Sequence, residues 1–415
     1  MAEIQSPKPA QLAKLRTLLG ELTPANRFYA PRLQAAGLSS ELASFEEYSA
    51  KMPFTTKADL VADQTANPPF GTNLTFPLER YTRFCQTSGT TARPLAILDT
   101  AESWDWMLGN WAQIYHAARL APDARIYFAF SFGPFLGFWT GFEAAVKLGY
   151  LCLPGGGLSG GARLRAILEY QADVLCCTPT YALHLGESAA QEGFDLSRSA
   201  VRKIIVAGET GGSQHSTRER ISQIWHGAEV LDHYGMTETG PTAYQNTGEP
   251  GMLHLIRESY FAEIIDPEQG RPVPYGEVGE LVLTTLGRTA CPLLRYRTGD
   301  LVLRSPEYDG SALAGGIIGR VDDMVVIRGV NLYPSAVDAL IRTLPEIGEY
   351  RVHISRRGAL AEAALEVETE SAAVAEQLAR VFAATFSLRI PVTRVGVGTL
   401  PRFEMKARRW KVDKG

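Results

Sequence analysis

The stretch Asp173-Val174-Leu175-Cys176-Cys177 carries four apolar residues in a row, and a helical pattern over residues 181–192 follows it. The same pairing recurs on both sides. An apolar, aromatic run at 125–130 precedes a helical pattern over 135–148, and a strand-like run at 150–153 precedes another over 162–171. Downstream, a run at 201–207 leads to a helix over 214–225 and then a strand at 228–231. Strands alternating with helices predict a parallel sheet covered by helices, a large α/β domain. Beyond Gly235 the rhythm changes to short strands between Gly and Pro turns, at 261–265, 278–285, 293–296 and 301–303, which predicts a β-rich subdomain. After Gly319-Arg320 the order becomes strand (324–327), helix (334–343), two strands (350–354, 361–367), helix (371–388) and strand (393–397). That reads as a small α+β unit of its own. Residues 1–60 read as short helical pieces punctuated by Pro7, Pro9, Pro24, Pro31 and Pro53. The expected division is a domain over 1–320 and a second over 321–415.

At 415 residues and 45.3 kDa, the chain has ample length for one large core and a smaller one. Hydrophobic residues at 45% and charged ones at 21% suit a soluble globular protein. A formal charge of -4 and a pI near 6.0 speak against a nucleic-acid or anionic-membrane surface. Cys85, Cys152, Cys176, Cys177 and Cys291 form no C-x-x-C pair and read as reduced core thiols. Residues 1–20 lack the apolar core of a signal peptide. The most apolar region, 126–139, is interrupted by Ser131, Gly133, Pro134 and Gly137, short of the roughly 18 residues of a membrane span. A cytoplasmic protein with no membrane or nucleic-acid partner is expected.

Four stretches carry chemistry. In Gln86-Thr87-Ser88-Gly89-Thr90-Thr91-Ala92-Arg93-Pro94, four hydroxyls surround one glycine between two strand-like segments. Hydroxyls and backbone N–H groups in such a turn can meet the oxygens of a phosphate chain, although a Thr/Ser-rich hairpin looks the same. It is not a Walker A loop, which has four residues between its glycines and then Gly-Lys-Ser/Thr. Gly155-Gly156-Gly157-Leu158-Ser159-Gly160 fits G-x-G-x-x-G, but Pro154 opens it and Asp173 begins its strand where a ribose-binding acid should end one. A glycine turn bordering a pocket is the better reading. Tyr234-Gly235-Met236-Thr237-Glu238 follows an apolar strand, offering a ring for a base and a carboxylate for a divalent cation. Tyr296-Arg297-Thr298-Gly299-Asp300 places a carboxylate at a turn, able to accept from two ribose hydroxyls.

Together these stretches resemble the adenylate-forming superfamily, and within it the phenylacetate–CoA ligase family. The resemblance runs from about Phe54 to Lys411. It includes Thr87 to Thr91, Cys177-Thr178-Pro179-Thr180-Tyr181, Ala207-Gly208-Glu209, Tyr234 to Glu238, Tyr296 to Asp300, Gly319 to Met324, and Arg328-Gly329-Val330-Asn331. It implies a fold with a mobile C-terminal domain. It also implies ATP-dependent activation of a carboxylic acid to an acyl-adenylate, followed by transfer to CoA. The implied roles are position by position. Ser88, Gly89, Thr90 and Thr91 would bind the ATP phosphates. Tyr234 would stack on adenine, with Gly208 and Glu209 along its edge and Gly235 and Thr237 beside it. Asp300 and Arg320 would hold the ribose, and Glu238 would coordinate Mg²⁺. Asp322 would be the hinge, and Arg328 and Gly329 would line the CoA tunnel. Pro401-Arg402-Phe403-Glu404-Met405-Lys406 matches the segment with the family's mobile catalytic lysine, which makes Lys406 the choice and Lys411 the alternative. A homodimer is the assembly to expect by the same resemblance.

Three departures stand out. Ala92-Arg93 replaces the family's usual Gly-Lys, and Met405 replaces the glycine that commonly precedes the lysine. Residues 304–318 hold no cysteine where many relatives carry a zinc site, so no structural zinc is expected. Phe132, Gly133, Phe135, Tyr181 and Ala207 are the candidate acid pocket. Their aromatic and small side chains favour an aromatic or arylalkyl acid. Two rival readings are open at this point. One keeps adenylation but passes the acyl group to an amine or adenylylates a deazaflavin, and the other is a non-catalytic nucleotide-binding protein.

Overall fold

A computed structural model describes residues 9–87, 94–328, 330–357, 360–403 and 407–412. The N-terminal region is helical, over Pro9–Ala25, Ala30–Ala36, Phe45–Lys51 and Lys57–Ala66. Leu15, Leu18, Leu19 and Leu22 recur at three- and four-residue spacing, so they form one stripe. That stripe shares a core with Phe261, Leu293, Leu294 and Tyr296 from the β-rich part. The hairpin β1 (Tyr81–Gln86) and β2 (Ala96–Thr100) comes next, antiparallel, and leads into the helix Ala101–Ala117.

The alternation read from the sequence is present. β3 (Arg125–Phe128), β4 (Leu151–Pro154), β5 (Val174–Cys177), β6 (Lys203–Val206) and β7 (Glu229–Met236) alternate with the helices Trp139–Lys147, Gly160–Glu169, Pro179–Glu192 and His215–Ile224. These five strands run parallel in the order β4-β3-β5-β6-β7. Beyond β7 the same sheet turns antiparallel. β8 (Gly240–Tyr244), β9 (Met252–Leu255), β10 (Tyr260–Ile265), β11 (Val278–Thr285), β12 (Tyr296–Arg304) and β13 (Ala312–Arg320) extend it to eleven strands, in the order β7-β8-β9-β13-β12-β11-β10.

Successive strand residues point to opposite faces, and the cores divide accordingly. Ile126, Phe128, Cys176, Ile205 and Leu231 face one core, with the helix Ala101–Ala117. Tyr127, Leu175, Cys177, Ile204, Val206 and Val230 face the other, with the helix Pro179–Glu192.

The last part of the chain forms a separate core. β14 (Val325–Ile327) and β15 (Val330–Leu332) pair as a ribbon, followed by the helix Pro334–Ile341. β16 (Tyr350–Arg357), β17 (Leu360–Glu368), β18 (Val392–Val395) and β19 (Trp410–Val412) make a four-stranded sheet, order β18-β17-β16-β19, with the helix Ala372–Phe386. No helix among the described residues is long and apolar enough to cross a membrane.

Three expectations need correction. The helix expected over 135–148 begins only at Trp139, because Pro134 and a left-handed Gly137 keep the preceding residues out of helical geometry. Tyr296 to Asp300 is not a turn between two short strands but part of the continuous β12. Tyr234 to Met236 does not follow the strand but is its end, since β7 extends five residues beyond Leu231.

Asp232, buried on β7, accepts a hydrogen bond from Ser213 Oγ at 2.5 Å. Burial pushes its carboxyl from the ordinary 3.8 up to about 7, against the opposing pull of Ser213, the His233 N–H and Arg218. The folded chain therefore keeps a proton that the unfolded chain has released. This group's contribution to stability is full below the unfolded value and is lost progressively as pH rises towards about 7. Asp232→Asn removes that titration. The unaltered chain's melting temperature should drop relative to the variant's between pH 5 and pH 7, and parallel melting curves over that interval would contradict the assignment.

Candidate active site

The ligand-binding end of a parallel sheet is its carboxyl edge, and Tyr234, Asp300 and Arg320 meet there. β12 bulges against β11: Arg297 pairs with Val282 and Leu301 with Glu280, so Thr298, Gly299 and Asp300 face Leu281 alone. Gly299 takes φ +76°, and a Cβ there would lie 2.8 Å from an Arg320 nitrogen, so only glycine suits the bulge. Thr298 Oγ1 donates to Leu281 O at 2.7 Å and accepts from Asp300 N at 3.0 Å. The bulge thereby aims the Asp300 carboxylate at two neighbours. Tyr234 OH donates to Oδ2 at 2.7 Å, and Arg320 Nη1 donates to Oδ1 at 3.0 Å. Asp300 and Arg320 are cross-strand partners on β12 and β13. Burial, then the Asp300 charge, raises the Tyr234 phenol well above its usual range. Asp300 and Asp322 together hold the Arg320 guanidinium in its charged form against the opposing effect of burial.

Gly235 lets two backbones meet, since a Cβ there would lie 2.9 Å from Gly240 O. The tight turn this permits carries Thr237 and Glu238 between β7 and β8. Glu238 is buried, and Lys57 Nζ lies 3.2 Å from its Oε1, which also accepts from Tyr296 OH at 3.5 Å. The turn is fixed from behind by Arg288, whose Nη1 donates to Thr237 O at 3.0 Å and Glu238 O at 2.7 Å. Arg288 is itself locked to Asp99 by Nε to Oδ1 at 2.7 Å and Nη2 to Oδ2 at 2.5 Å, with both residues wholly buried.

Gly208 and Glu209 lie in the loop after β6. Glu209 accepts from Thr180 N at 2.7 Å and from Ala407 N at 3.0 Å. Asp322 sits in the turn after β13, exposed, and accepts from Arg320 Nε at 2.9 Å. Arg328 is exposed, with Glu362 at 3.5 Å. Ser88, Gly89, Thr90, Thr91, Gly329 and Lys406 lie outside the described residues, as do Ala92, Arg93 and Met405. The residues flanking 88–93 are described: Thr87 N donates to Leu95 O at 3.0 Å, and Gln86 N to Pro134 O at 2.7 Å.

The candidate acid pocket divides. Phe132 and Ala207 belong to one core face, where Phe132 lies 4.9 Å from Phe130 and 4.7 Å from Trp139 between ring centroids. Gly133 and Gly137 both pack on the Phe135 ring. Tyr181 is a correction to the expected set: it sits on the opposite face of the sheet, under the Arg163 guanidinium 4.9 Å from its ring centroid. Its place in the first turn of the helix Pro179–Glu192 turns it inward, away from Phe132. Asp173, the carboxylate of the discounted dinucleotide pattern, instead accepts from Arg125 N at 3.0 Å at the start of β3. No cluster of three metal-binding side chains occurs among the described residues, and His254 Nε2 is 2.5 Å from Glu249.

Lys57, Arg288 and Asp99 were not anticipated from the sequence. Asp99 alone left a trace, as the carboxylate that directly follows the apolar run Leu95 to Leu98.

A buried carboxylate and tyrosine with a half-buried arginine at this edge, joined to a small C-terminal unit, suit a nucleotide-handling enzyme. The family model described as AMP-binding enzyme matches residues 61–289, and the one described as AMP-binding enzyme C-terminal domain matches residues 329–414. The chain belongs to the AMP-binding enzyme family. The phenylacetate-coenzyme A ligase of Escherichia coli strain K12 is 31% identical, over 98% of this chain and 94% of its own. That of Thermus thermophilus is 31% identical over 86% of this chain and 80% of its own. The solved structure of 2-hydroxyisobutyryl-CoA ligase in the postadenylation state, with 2-HIB-AMP, matches with a TM-score of 0.92 at 27% identity, covering 99% of this chain and 91% of that one. The same ligase in the thioesterification state, with 2-HIB-AMP and CoA, gives 0.73 at 28% identity, with coverage again 99% and 91%. The arrangement of this chain is therefore nearer the postadenylation one.

Arg288→Met would leave Asp99 without its guanidinium partner in a dry core, and would free the carbonyls behind Glu238. Removing one partner of such a pair costs about 3–5 kcal/mol. Urea unfolding should show that loss, with the midpoint lowered and the slope unchanged. A loss below about 1 kcal/mol would mean that the pair does not carry the turn.

Proposed function

We propose that this AMP-forming acid–CoA ligase acts on an aromatic or arylalkyl carboxylic acid, with Mg²⁺ held by Glu238. The observation that carries the nucleotide part is the Tyr234–Asp300–Arg320 cluster at 2.7 and 3.0 Å, at the carboxyl edge of the sheet, a few residues from the buried Glu238. Asp300 presents its two carboxylate oxygens at this edge, a donor-seeking pair that suits two ribose hydroxyls. Tyr234 is held at its hydroxyl, leaving its ring fixed in position for an adenine. Glu238 fits a magnesium ion, since a buried carboxylate is the hard oxygen donor such an ion takes. When bound, the ion supplies neutralisation of the phosphate charge. Lys57 then stands as a second positive group at the same carboxylate.

The chemistry needs no protein nucleophile. The acid's carboxylate oxygen attacks the α-phosphorus of ATP, a P–O bond breaks, and pyrophosphate leaves. The CoA sulfur, having lost its proton, next attacks the acyl carbon, and AMP leaves with the C–O bond electrons. Each step moves charge onto phosphate oxygens, so fixed cations aimed there lower the barrier. By family resemblance that cation is Lys406 in the first step, with the C-terminal unit turning about Asp322 before the second.

The acid is read from the pocket walls. The relatives' names point to different acids, phenylacetate for one and 2-hydroxyisobutyrate for another. In this chain Phe130, Phe132 and Trp139 stand ring against ring beside Ala207, which offers flat apolar walls and few polar groups. AMP release with phenylacetate- or benzoate-like acids should exceed that with linear acids of equal carbon count. One apolar group is worth about 1–3 kcal/mol in such a pocket, so kcat/KM should differ by about tenfold or more. Preference for hexanoate or octanoate over every aromatic acid in the panel would overturn the acid assignment.

A further inference from the structure

Polar contacts cross the seam between the C-terminal unit and the large domain. Glu209 sends its two carboxylate oxygens in different directions, to Thr180 N at 2.7 Å in the large domain and to Ala407 N at 3.0 Å in the C-terminal tail. Thr180 lies in the first turn of the helix Pro179–Glu192, where N–H groups lack helical partners and a carboxylate is favoured. Ala407 directly follows Lys406 in the sequence. Two turns along the same helix, Glu187 Oε2 accepts from Arg402 Nε at 3.2 Å. Gln214 donates to Ser335 O at 3.1 Å and Ser216 to Ala339 O at 3.0 Å, across the same seam.

We propose that Glu209 and Glu187 are positioning residues that hold the C-terminal tail on the helix Pro179–Glu192 for acid adenylation, and that their bonds to it must break before thioester formation. This rests on the ligase reading above and adds the residues that select between its two half-reactions. Hydrogen bonds are short and directional, so a rotation of even a few ångströms breaks all of these at once. They belong to an arrangement that matches the postadenylation structure at 0.92 and the thioesterification structure at 0.73.

The latch is also built to open at small cost. Arg402 Nη2 is paired at 2.8 Å with the buried Glu368 of its own unit, so it keeps a carboxylate when Glu187 lets go. Glu209 likewise keeps Thr180 when Ala407 leaves. No charge is stranded in an apolar place on either side. Glu187 is partly exposed and is not a member of the Tyr234–Asp300–Arg320 cluster, so truncating it leaves those bonds in place.

The test uses the full chain, with Glu209→Gln and Glu187→Ala. Acid-dependent exchange of pyrophosphate into ATP should fall about ten- to a hundredfold in Glu209→Gln, as expected for a lost hydrogen bond to a charged group. In Glu187→Ala it should fall about two- to fivefold, the scale of a part-exposed ion pair. Glu187→Ala should convert supplied acyl-adenylate and CoA to thioester no more slowly than the unaltered chain. Equal loss in both half-reactions, or no loss of exchange in either variant, would overturn the latch. Amide hydrogen exchange gives a readout independent of turnover: the peptide containing Ala407 should exchange faster in Glu209→Gln, and unchanged protection would also overturn it. Should the unaltered chain show no acid-dependent pyrophosphate exchange with any acid, the ligase reading fails, while the protection measurement still decides the latch.

Discussion

The bond between Arg288 and Asp99 organises the site. A guanidinium cannot shed its proton, and an unpaired charge in a dry core is unaffordable, so each residue dictates the place of the other. Asp99 ends the β1–β2 hairpin, and Arg288 follows β11, 189 residues away in sequence. With the pair formed, Arg288 has one nitrogen left, and it holds the carbonyls of Thr237 and Glu238. One ion pair thus ties the hairpin that bears the phosphate-loop sequence, the turn that bears Glu238 and the antiparallel half of the sheet. Burial alone would lower the Arg288 pKa; Asp99 more than reverses that, keeping the cation charged.

Around this anchor the site is electrostatically layered. Asp300 stands between a phenol and a guanidinium, both of which donate to its carboxylate oxygens. Glu238 faces Lys57, which sits at the first position of its helix, where the helix dipole disfavours a cation. The buried carboxylate offsets that penalty.

Much of the fold was legible because its signals are local. Apolar runs such as 173–177 and 201–207 alternate with amphipathic helices, and that rhythm survives in the parallel half of the sheet. β8, β9 and β13 gave no such signal. β13 reads Ala-Leu-Ala-Gly-Gly-Ile-Ile-Gly-Arg, and it is a strand because β9 and β12 supply partners on both sides. Tyr234, Glu238, Asp300 and Arg320 were found through family spacing, and the structure brings the first, third and fourth into direct contact. Lys57 and Arg288 were illegible, since each acts across a long sequence separation and neither sits in a motif. Tyr181 misled because position near a motif says nothing about which sheet face a side chain takes; only the helix register settles that.

The account's central claim is that the site splits ATP between the α- and β-phosphates and carries the acyl group through an adenylate to CoA. Product stoichiometry tests this most directly. With an accepted acid, ATP, Mg²⁺ and CoA, the account predicts one AMP and one pyrophosphate for every thioester formed. Release of ADP and orthophosphate in step with thioester would contradict it, because that outcome requires an acyl-phosphate in place of the adenylate.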